Sequence, residues 1–226
     1  MIVREPYDWD AILAWLAARA IPGVERVEDG AYVRGRVRVT YDGTVRTNGE
    51  AARVRRLFDV GLDPAPMHDV LKRDPMLAPR LRKRPGVRVP GAWDPFELMV
   101  RAIVGQQISV AGARTILGRI AEKYGLDPHV LAEVTLEGMP RKRAETIRIL
   151  AGEIAKGADV VLEEIPGIGP WTANYIRMRL GDRDAFPAGD LVLRRNAGNM
   201  TERELSKRAE AWRPFRAYGA MLLWTV

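Results

Sequence analysis

The sequence of 226 residues contains no cysteine and only two histidines. Without cysteine, the chain cannot form disulfides, thiolate metal sites, iron–sulfur clusters or a cysteine nucleophile. Two histidines, His68 and His129, argue against a histidine-rich metal centre or a Ser-His-Asp triad. The sequence also lacks a secretory signal and any run of about 18 apolar residues, the length that spans a membrane. We therefore expect a soluble, cytoplasmic protein.

Basic residues exceed acidic residues by a moderate margin. Lysine and arginine together number 36 against 29 acids, for a formal charge of +7, and 47% of the residues are hydrophobic. This content is enough to form a folded core. The positive charge favours a polyanionic partner such as nucleic acid, although it also serves solubility alone.

The first part of the chain predicts one helix and a small antiparallel sheet. Residues 8–18 place apolar side chains at helical spacing. Residues 32–47 then alternate between valine and arginine, and Asp42-Gly43 is typical of a two-residue hairpin turn. We expect the arginines on a solvated sheet face, with contact between that face and DNA as the alternative. They are Arg34, Arg36 and Arg38.

Residues 63–95 are rich in proline and contain the basic segment RLRKRPGVR, which is typical of a connector between domains. The chain beyond them reads as helical. Asp94 and Ser109 are expected N-caps, and Thr201 with Glu204 predicts a capping box. Further helices are expected from Asp159 to Ile165 and from Pro214 to Leu223.

These patterns predict an α+β protein that is mostly α. A small antiparallel sheet domain at residues 1–62 precedes a helical region at residues 63–226.

The segment PGIGPWTANY, residues 166–175, joins a glycine-rich turn to a helix. Gly167 and Gly169 lack Cβ atoms, so another backbone can approach the amides at the start of the following helix. Such an end attracts phosphate. An ordinary connection between two helices, with no ligand, explains the same glycines.

Two neighbouring segments resemble the helix-hairpin-helix DNA glycosylase superfamily. LEEIPGIGPWTANYIRMRLG resembles its DNA-binding hairpin, and AFPAGDLVLRR resembles the segment that carries its catalytic aspartate. Further segments are similar to the 3-methyladenine DNA glycosylase II family, the AlkA type, nearly from end to end. They are PYDWDAILAWLAAR, RPGVRVPGAWDPFELMVRAIVGQQISVAGA, GMPRKRAE and WRPFRAYGAMLLW. The resemblance implies an active-site cleft between two helical lobes.

The resemblance assigns Asp190 as the catalytic carboxylate, which also suits the N-cap of the next helix. Cleavage of an N-glycosidic bond builds positive charge on the sugar, and a fixed carboxylate stabilises that charge. Trp171 occupies the place of the nucleophilic lysine in glycosylases that also cut the backbone. Tryptophan forms no Schiff base, so we expect a monofunctional enzyme that leaves an abasic site. The resemblance also implies that catalysis needs no cofactor.

The same resemblance implies an aromatic pocket for the flipped base. Its members are Trp15, Trp171, Tyr175 and Trp224. Tryptophan faces attract the cationic rings of alkylated bases, although core packing is an alternative for each residue. Leu191 and Thr225 replace two tyrosines of relatives, which implies a roomier or less aromatic pocket.

Gln107 matches the residue that relatives insert into the duplex in place of the flipped base; capping of nearby helix ends is the alternative. Gly167, Gly169 and Thr172 are expected to hold phosphate on the lesion strand. The resemblance further implies a structural sodium or potassium ion on main-chain carbonyls. These belong to Glu163, Ile165 and Gly167.

The expected activity is release of alkylated bases, of the 3-methyladenine type, from double-stranded DNA in base excision repair, by a monomer associated with the nucleoid. Three alternatives differ in what they need. A glycosylase for oxidised or deaminated bases would release one of those bases from a DNA duplex that carries it. A DNA-binding module without catalysis needs neither Asp190 nor the aromatic cluster. A basic helical scaffold with no nucleic-acid role would be indicated by a failure to bind duplex DNA at low salt.

Overall fold

The computed structural model describes residues 1–224, which form a four-stranded sheet and twelve α-helices. The predicted α+β, mostly α class is confirmed. The strands are β1 (Glu25–Glu28), β2 (Ala31–Arg34), β3 (Val37–Tyr41) and β4 (Val45–Thr47). The helices are α1 (Trp9–Arg19), α2 (Ala51–Leu57), α3 (Pro64–Leu71), α4 (Ala78–Lys83), α5 (Pro95–Val104), α6 (Val110–Tyr124), α7 (Pro128–Leu131), α8 (Arg141–Ala155), α9 (Pro170–Arg179), α10 (Leu191–Asn196), α11 (Glu202–Ala209) and α12 (Arg216–Trp224). Within these residues, no helix is both long and apolar enough to cross a membrane.

The sheet is an antiparallel meander in the order β1-β2-β3-β4. Residues 32–47 contain three strands rather than the two of a single hairpin, because a turn at Gly35, where φ is +55°, separates β2 from β3. Tyr32 lies opposite Val39, and both are fully buried. One face of the sheet therefore packs on the core, as period-two alternation requires.

The predicted helix caps are present. Asp94 accepts a hydrogen bond from the Glu97 amide at 2.9 Å, and Ser109 accepts one from the Gly112 amide at 3.1 Å. Thr201 forms the capping box that begins α11. Each cap satisfies an amide that the first turn of a helix leaves without a partner.

Two predicted helices are shorter than expected. The segment from Asp159 to Ile165 forms only a 3₁₀ turn at Leu162–Glu164, and α12 begins at Arg216 rather than at Pro214. Pro166 follows the 3₁₀ turn and has no N–H to continue it.

The prediction that residues 63–95 are a connector is wrong. They contain α3 and α4, and Met67, Leu71 and Leu77 are fully buried. Even the basic segment is partly internal: Arg88 is 3% exposed and donates to the carbonyl of Arg4 at 2.7 Å.

Two hydrophobic cores organise the molecule. The first joins α1, the sheet and α2–α4 to α10–α12, so it is built from both ends of the described chain. The second consists of α5–α9 and the loops between them, together with Ile21 and Ala92. The predicted domain boundary at residue 62 does not coincide with the division between these cores, because α3, α4 and α10–α12 pack with the sheet.

Candidate active site

A cleft of about 370 Å³ lies between the two cores. Leu16 and Leu57 line it from the first core, and Leu98 and Leu117 line it from the second. The predicted catalytic and base-pocket residues also line this cleft. They are Trp15, Trp171, Tyr175, Asp190 and Trp224. Side chains that are up to 209 positions apart in sequence thus share one cavity.

Asp190 is the N-cap of α10, and four N–H groups hold its carboxylate. Its Oδ1 accepts from the amides of Val192 and Leu193, both at 2.9 Å. The indole N–H of Trp224 donates to the same oxygen at 3.0 Å, and that of Trp171 donates to Oδ2 at 3.1 Å. The two roles expected from the sequence, helix cap and cleft carboxylate, are therefore present in one side chain.

These four hydrogen bonds determine what the carboxylate can do. Hydrogen bonds to a charged acceptor are stronger than neutral ones, so the side chain is held in one orientation before a ligand arrives. Asp190 is half-buried on the cleft wall, where solvent screens its charge less than at an open surface. A fixed negative charge in this position stabilises positive charge that develops on a bound group.

The four aromatic rings form one contiguous group. Trp171 and Tyr175, one turn apart on α9, stack with ring centroids 5.7 Å apart and an interplanar angle of 11°. Trp224 meets the edge of Tyr175 at 6.2 Å and lies 5.7 Å from Trp15. Rings at these separations attract each other and offer apolar faces to a planar ligand.

One face of Trp15 is already occupied. The guanidinium carbon of Arg19 lies 3.4 Å from the ring centroid, in a cation–π contact. Trp15 is buried, and its indole N–H has no hydrogen-bond partner in the part of the chain that the structure describes. Trp15 therefore packs within the protein, the alternative open at the sequence level, and lines the cleft as well.

Positive charge surrounds Tyr175 at the inner end of the cleft. Arg179, which is 6% exposed, donates to the Tyr175 hydroxyl at 2.7 Å and to the Gly91 carbonyl at 2.8 Å. Burial raises the pKa of Tyr175, but the charges of Arg179 and Arg19 outweigh it, so the pKa lies below the ordinary value. Sequence reasoning missed both arginines; Arg179 was detectable as the residue four positions after Tyr175 on the same helix face.

A buried ion network contributes Glu25, Glu97 and Arg101 to the lining of the cleft. Arg34 and Arg101 both bind Glu97, each at 2.5 Å, and Arg101 also binds Glu25 at 2.7 Å. Burial raises the pKa of Glu97, but Arg101 and Arg34 outweigh it and lower that pKa below its usual range. The prediction that Arg34 lies on a solvated sheet face is therefore wrong, because its side chain is paired with Glu97 and Glu25.

The predicted hairpin connects the 3₁₀ turn at Leu162–Glu164 to α9. Gly167 has φ +92°, and a Cβ atom there would lie 2.2 Å from the Thr146 hydroxyl. That hydroxyl donates to the Pro166 carbonyl at 2.8 Å. Gly167 and Gly169 are exposed, and within residues 1–224 their amides donate no hydrogen bond. The hairpin therefore presents free amides beside a helix N-terminus.

The other predicted DNA contacts differ in accessibility. Gln107 is exposed at φ +56°, and its side chain has no partner among the described residues. Because Ser109 caps α6, Gln107 does not fill the capping role. Thr172 is 3% exposed and accepts from Gln106 at 3.0 Å, so its hydroxyl lies beneath the hairpin rather than facing a phosphate.

Of the two substitutions noted in the sequence, only Leu191 is among the described residues, and it lies outside the cleft lining. Leu191 is 71% exposed, while its neighbours Asp190 and Val192 line the cleft. Thr225 lies outside the described residues. In the described part of the chain, no three histidine, aspartate or glutamate side chains are grouped to hold a metal ion.

Comparison with known proteins gives the family. A sequence model of the AlkA N-terminal domain matches residues 1–52 and 36–94. The Escherichia coli protein named DNA-3-methyladenine glycosylase 2 is 33% identical over 98% of this chain and 94% of its own length. A Mycobacterium tuberculosis protein named "probable bifunctional transcriptional activator/DNA repair enzyme AlkA" is 35% identical over 99% of this chain, which spans 55% of that protein.

A solved structure agrees on the fold. The 3-methyladenine DNA glycosylase from Archaeoglobus fulgidus superposes with a TM-score of 0.81 at 20% identity, covering 99% of this chain and 96% of that one. Because this chain is 33% identical to the Escherichia coli protein over almost the whole length of both, it belongs to the AlkA family of helix-hairpin-helix DNA glycosylases.

Proposed function

We propose that this protein hydrolyses the N-glycosidic bond of alkylated bases, of the 3-methyladenine type, in double-stranded DNA and leaves an abasic site. The observation that carries the proposal is Asp190, a carboxylate held by two amides and two indoles on the wall of an aromatic cleft. The name of the Escherichia coli relative supports the choice of base.

In this reaction the damaged nucleotide leaves the stack, because the reacting carbon is shielded within the duplex. The base enters the aromatic cleft and its sugar faces Asp190. The bond from C1′ to the base nitrogen breaks, and its electron pair leaves with the base. Asp190 stabilises the cationic sugar, a water oxygen bonds to C1′, and the water loses a proton. An alkylated base that was cationic departs neutral, which makes it a good leaving group.

Two observations support a monofunctional reaction. Trp171 stands where a lyase carries its lysine, and its indole N–H already donates to Asp190. No lysine lines the cleft in the described part of the chain. Schiff-base formation needs such an amine, so strand cleavage by this route is not expected.

DNA binding is proposed for the exposed face around the hairpin. The free amides of Gly167 and Gly169 and the N-terminus of α9 suit a phosphate. Gln107 would fill the space left by the flipped base. The protein would act as a monomer on the cytoplasmic DNA.

A structural sodium or potassium ion at the hairpin is a further part of the proposal. The Glu163 carbonyl accepts no hydrogen bond within the described residues, since Pro166 has no N–H to give it. The Ile165 and Gly167 carbonyls each accept one hydrogen bond and keep a second lone pair. Replacing sodium and potassium with tetramethylammonium at equal ionic strength should weaken DNA binding; unchanged affinity would contradict the ion.

The activity is tested on methylated DNA and on duplexes with a single hypoxanthine or ethenoadenine. We expect release of methylated bases, measured by chromatography, and strand breakage only after alkali. Binding without release of any base would favour the non-catalytic module. Release of hypoxanthine without methylated bases would favour the glycosylase for deaminated bases. Trapping of a covalent DNA adduct by borohydride would refute the monofunctional assignment.

A further inference from the structure

The turn between α5 and α6 carries two adjacent glutamines that point in different directions. Gln107 is exposed, with its side chain free. Gln106 is half-buried and reaches the hairpin, where its side-chain amide donates to the Gly167 carbonyl at 2.9 Å and to the Thr172 hydroxyl at 3.0 Å. The turn that carries Gln107, the residue proposed to enter the duplex as a wedge in place of the flipped base, is thus bonded directly to the loop that is expected to hold phosphate.

Helix α8 holds both segments from the same side. Arg143 donates to the main-chain carbonyls of Gln106 at 2.6 Å and Val104 at 3.4 Å. Thr146, three residues further along the same helix face, donates to the Pro166 carbonyl. The distance between the turn and the hairpin is therefore fixed by side-chain hydrogen bonds rather than by backbone pairing between them.

We infer that Gln106 is a positioning residue that couples the phosphate grip of the hairpin to insertion of Gln107 into the duplex. The inference rests on the proposed function. The hairpin and Gln107 must contact one DNA molecule at the same time. A displacement of about 1 Å between parts of a preorganised site weakens binding substantially. Gln106 keeps the hairpin and the wedge in register before DNA binds, although it does not itself touch the base.

The test compares substitutions at the two adjacent glutamines. Gln106→Met keeps the length of the side chain and removes both hydrogen bonds, whereas Gln107→Ala removes the side chain that would enter the duplex. Affinity is measured by fluorescence anisotropy for a duplex with a tetrahydrofuran abasic analogue and for the undamaged duplex. We expect Gln106→Met to weaken abasic binding about tenfold, the effect of two lost hydrogen bonds, and undamaged binding less than about twofold. Gln107→Ala, which removes the inserted side chain, should also weaken binding to the abasic duplex.

A double substitution separates positioning from general stability. In a Gln107→Ala background the wedge is gone, so adding Gln106→Met should weaken abasic binding by less than about threefold. Full additivity of the two substitutions would overturn the inference, and so would equal weakening on both duplexes. Thermal unfolding monitors the fold.

If Gln106→Met unfolds near the assay temperature, Thr172→Val replaces it. This variant removes one of the two acceptors, and we expect weaker abasic binding by about threefold, again with little change on undamaged DNA. Absence of that selectivity would overturn the inference. A wild-type protein that releases no base would refute the proposed function, whereas the binding comparison tests the coupling separately.

Discussion

Asp190→Asn should abolish most base release while leaving the protein folded. Asparagine caps a helix about as well as aspartate, so the amide oxygen can still accept from Val192 and Leu193 and from the Trp224 indole. The amide nitrogen then faces the Trp171 indole, donor against donor. Three of the four hydrogen bonds survive this exchange.

The expected magnitudes separate folding from catalysis. Loss of one hydrogen bond to a charged acceptor lowers the free energy of unfolding by about 1.5–3 kcal/mol. Loss of one preorganised electrostatic group lowers the rate of the chemical step by about 10²–10³-fold, or about 2.7–4 kcal/mol in the barrier. In Asp190→Asn, the rate of base release should therefore fall by a much larger factor than the affinity for DNA.

The assay is single-turnover release from methylated duplex DNA with enzyme in excess, together with affinity for abasic DNA. Trp171→Phe is the matched control, because it removes one hydrogen bond to Asp190 but keeps the carboxylate and an aromatic ring. We expect roughly tenfold slower release for this control. Release by Asp190→Asn within tenfold of wild type would refute the assignment of Asp190.

Three further predictions concern the hairpin, the first core and acid stability. Gly167→Ala should destabilise the protein by about 2 kcal/mol or more and weaken DNA binding, because its Cβ would collide with the Thr146 hydroxyl, whereas Gly169→Ala, with open space at its Cβ, should be nearly neutral in denaturant unfolding. Asp74→Asn should lower the free energy of unfolding by about 2–4 kcal/mol, since Asp74 is buried and accepts from two side chains of the C-terminal region; a change below 1 kcal/mol would contradict this. Glu97 has a lowered pKa in the folded protein, so its stabilisation is present above its ordinary pKa and is lost as pH falls through the lower folded value. Glu97→Gln should therefore destabilise the protein at pH 7, and the difference in unfolding free energy from wild type should narrow as the pH falls below the ordinary pKa of a glutamate; a difference that does not change with pH would refute the network.

Local patterns predicted the parts of the fold that depend on neighbouring residues. The caps at Asp94, Ser109 and Thr201 are set by hydrogen bonds from amides three positions away, so the sequence shows them directly. The glycine-rich hairpin and the turn between β3 and β4 are local in the same sense, although Tyr41 pairs with Val45, so that turn has three residues rather than the predicted two. The grouping of Asp190 with four distant aromatic residues was predicted only by resemblance to the family.

Long-range partners explain what the sequence left out. Arg34 reads as solvated until Glu97, 63 positions away, is placed beside it. Arg88 appears in a basic loop, yet its partners include the carbonyl of Arg4, 84 positions away. Thr172 turns inward because Gln106 binds it. Tertiary contacts of this kind leave no periodicity in the chain, so no local pattern reports them.

The hydrogen bond between Trp171 and Asp190 crosses the gap between the two cores, since α9 belongs to the second and α10 to the first. A motion that widens the gap would stretch this bond, together with the Arg34–Glu97 and Arg101–Glu25 ion pairs that also join the two cores. In a molecule with a wider gap, the Asp190 carboxylate would therefore lose its hydrogen bond to Trp171. Closure of the gap around a nucleotide would restore the orientation of that carboxylate at the same time.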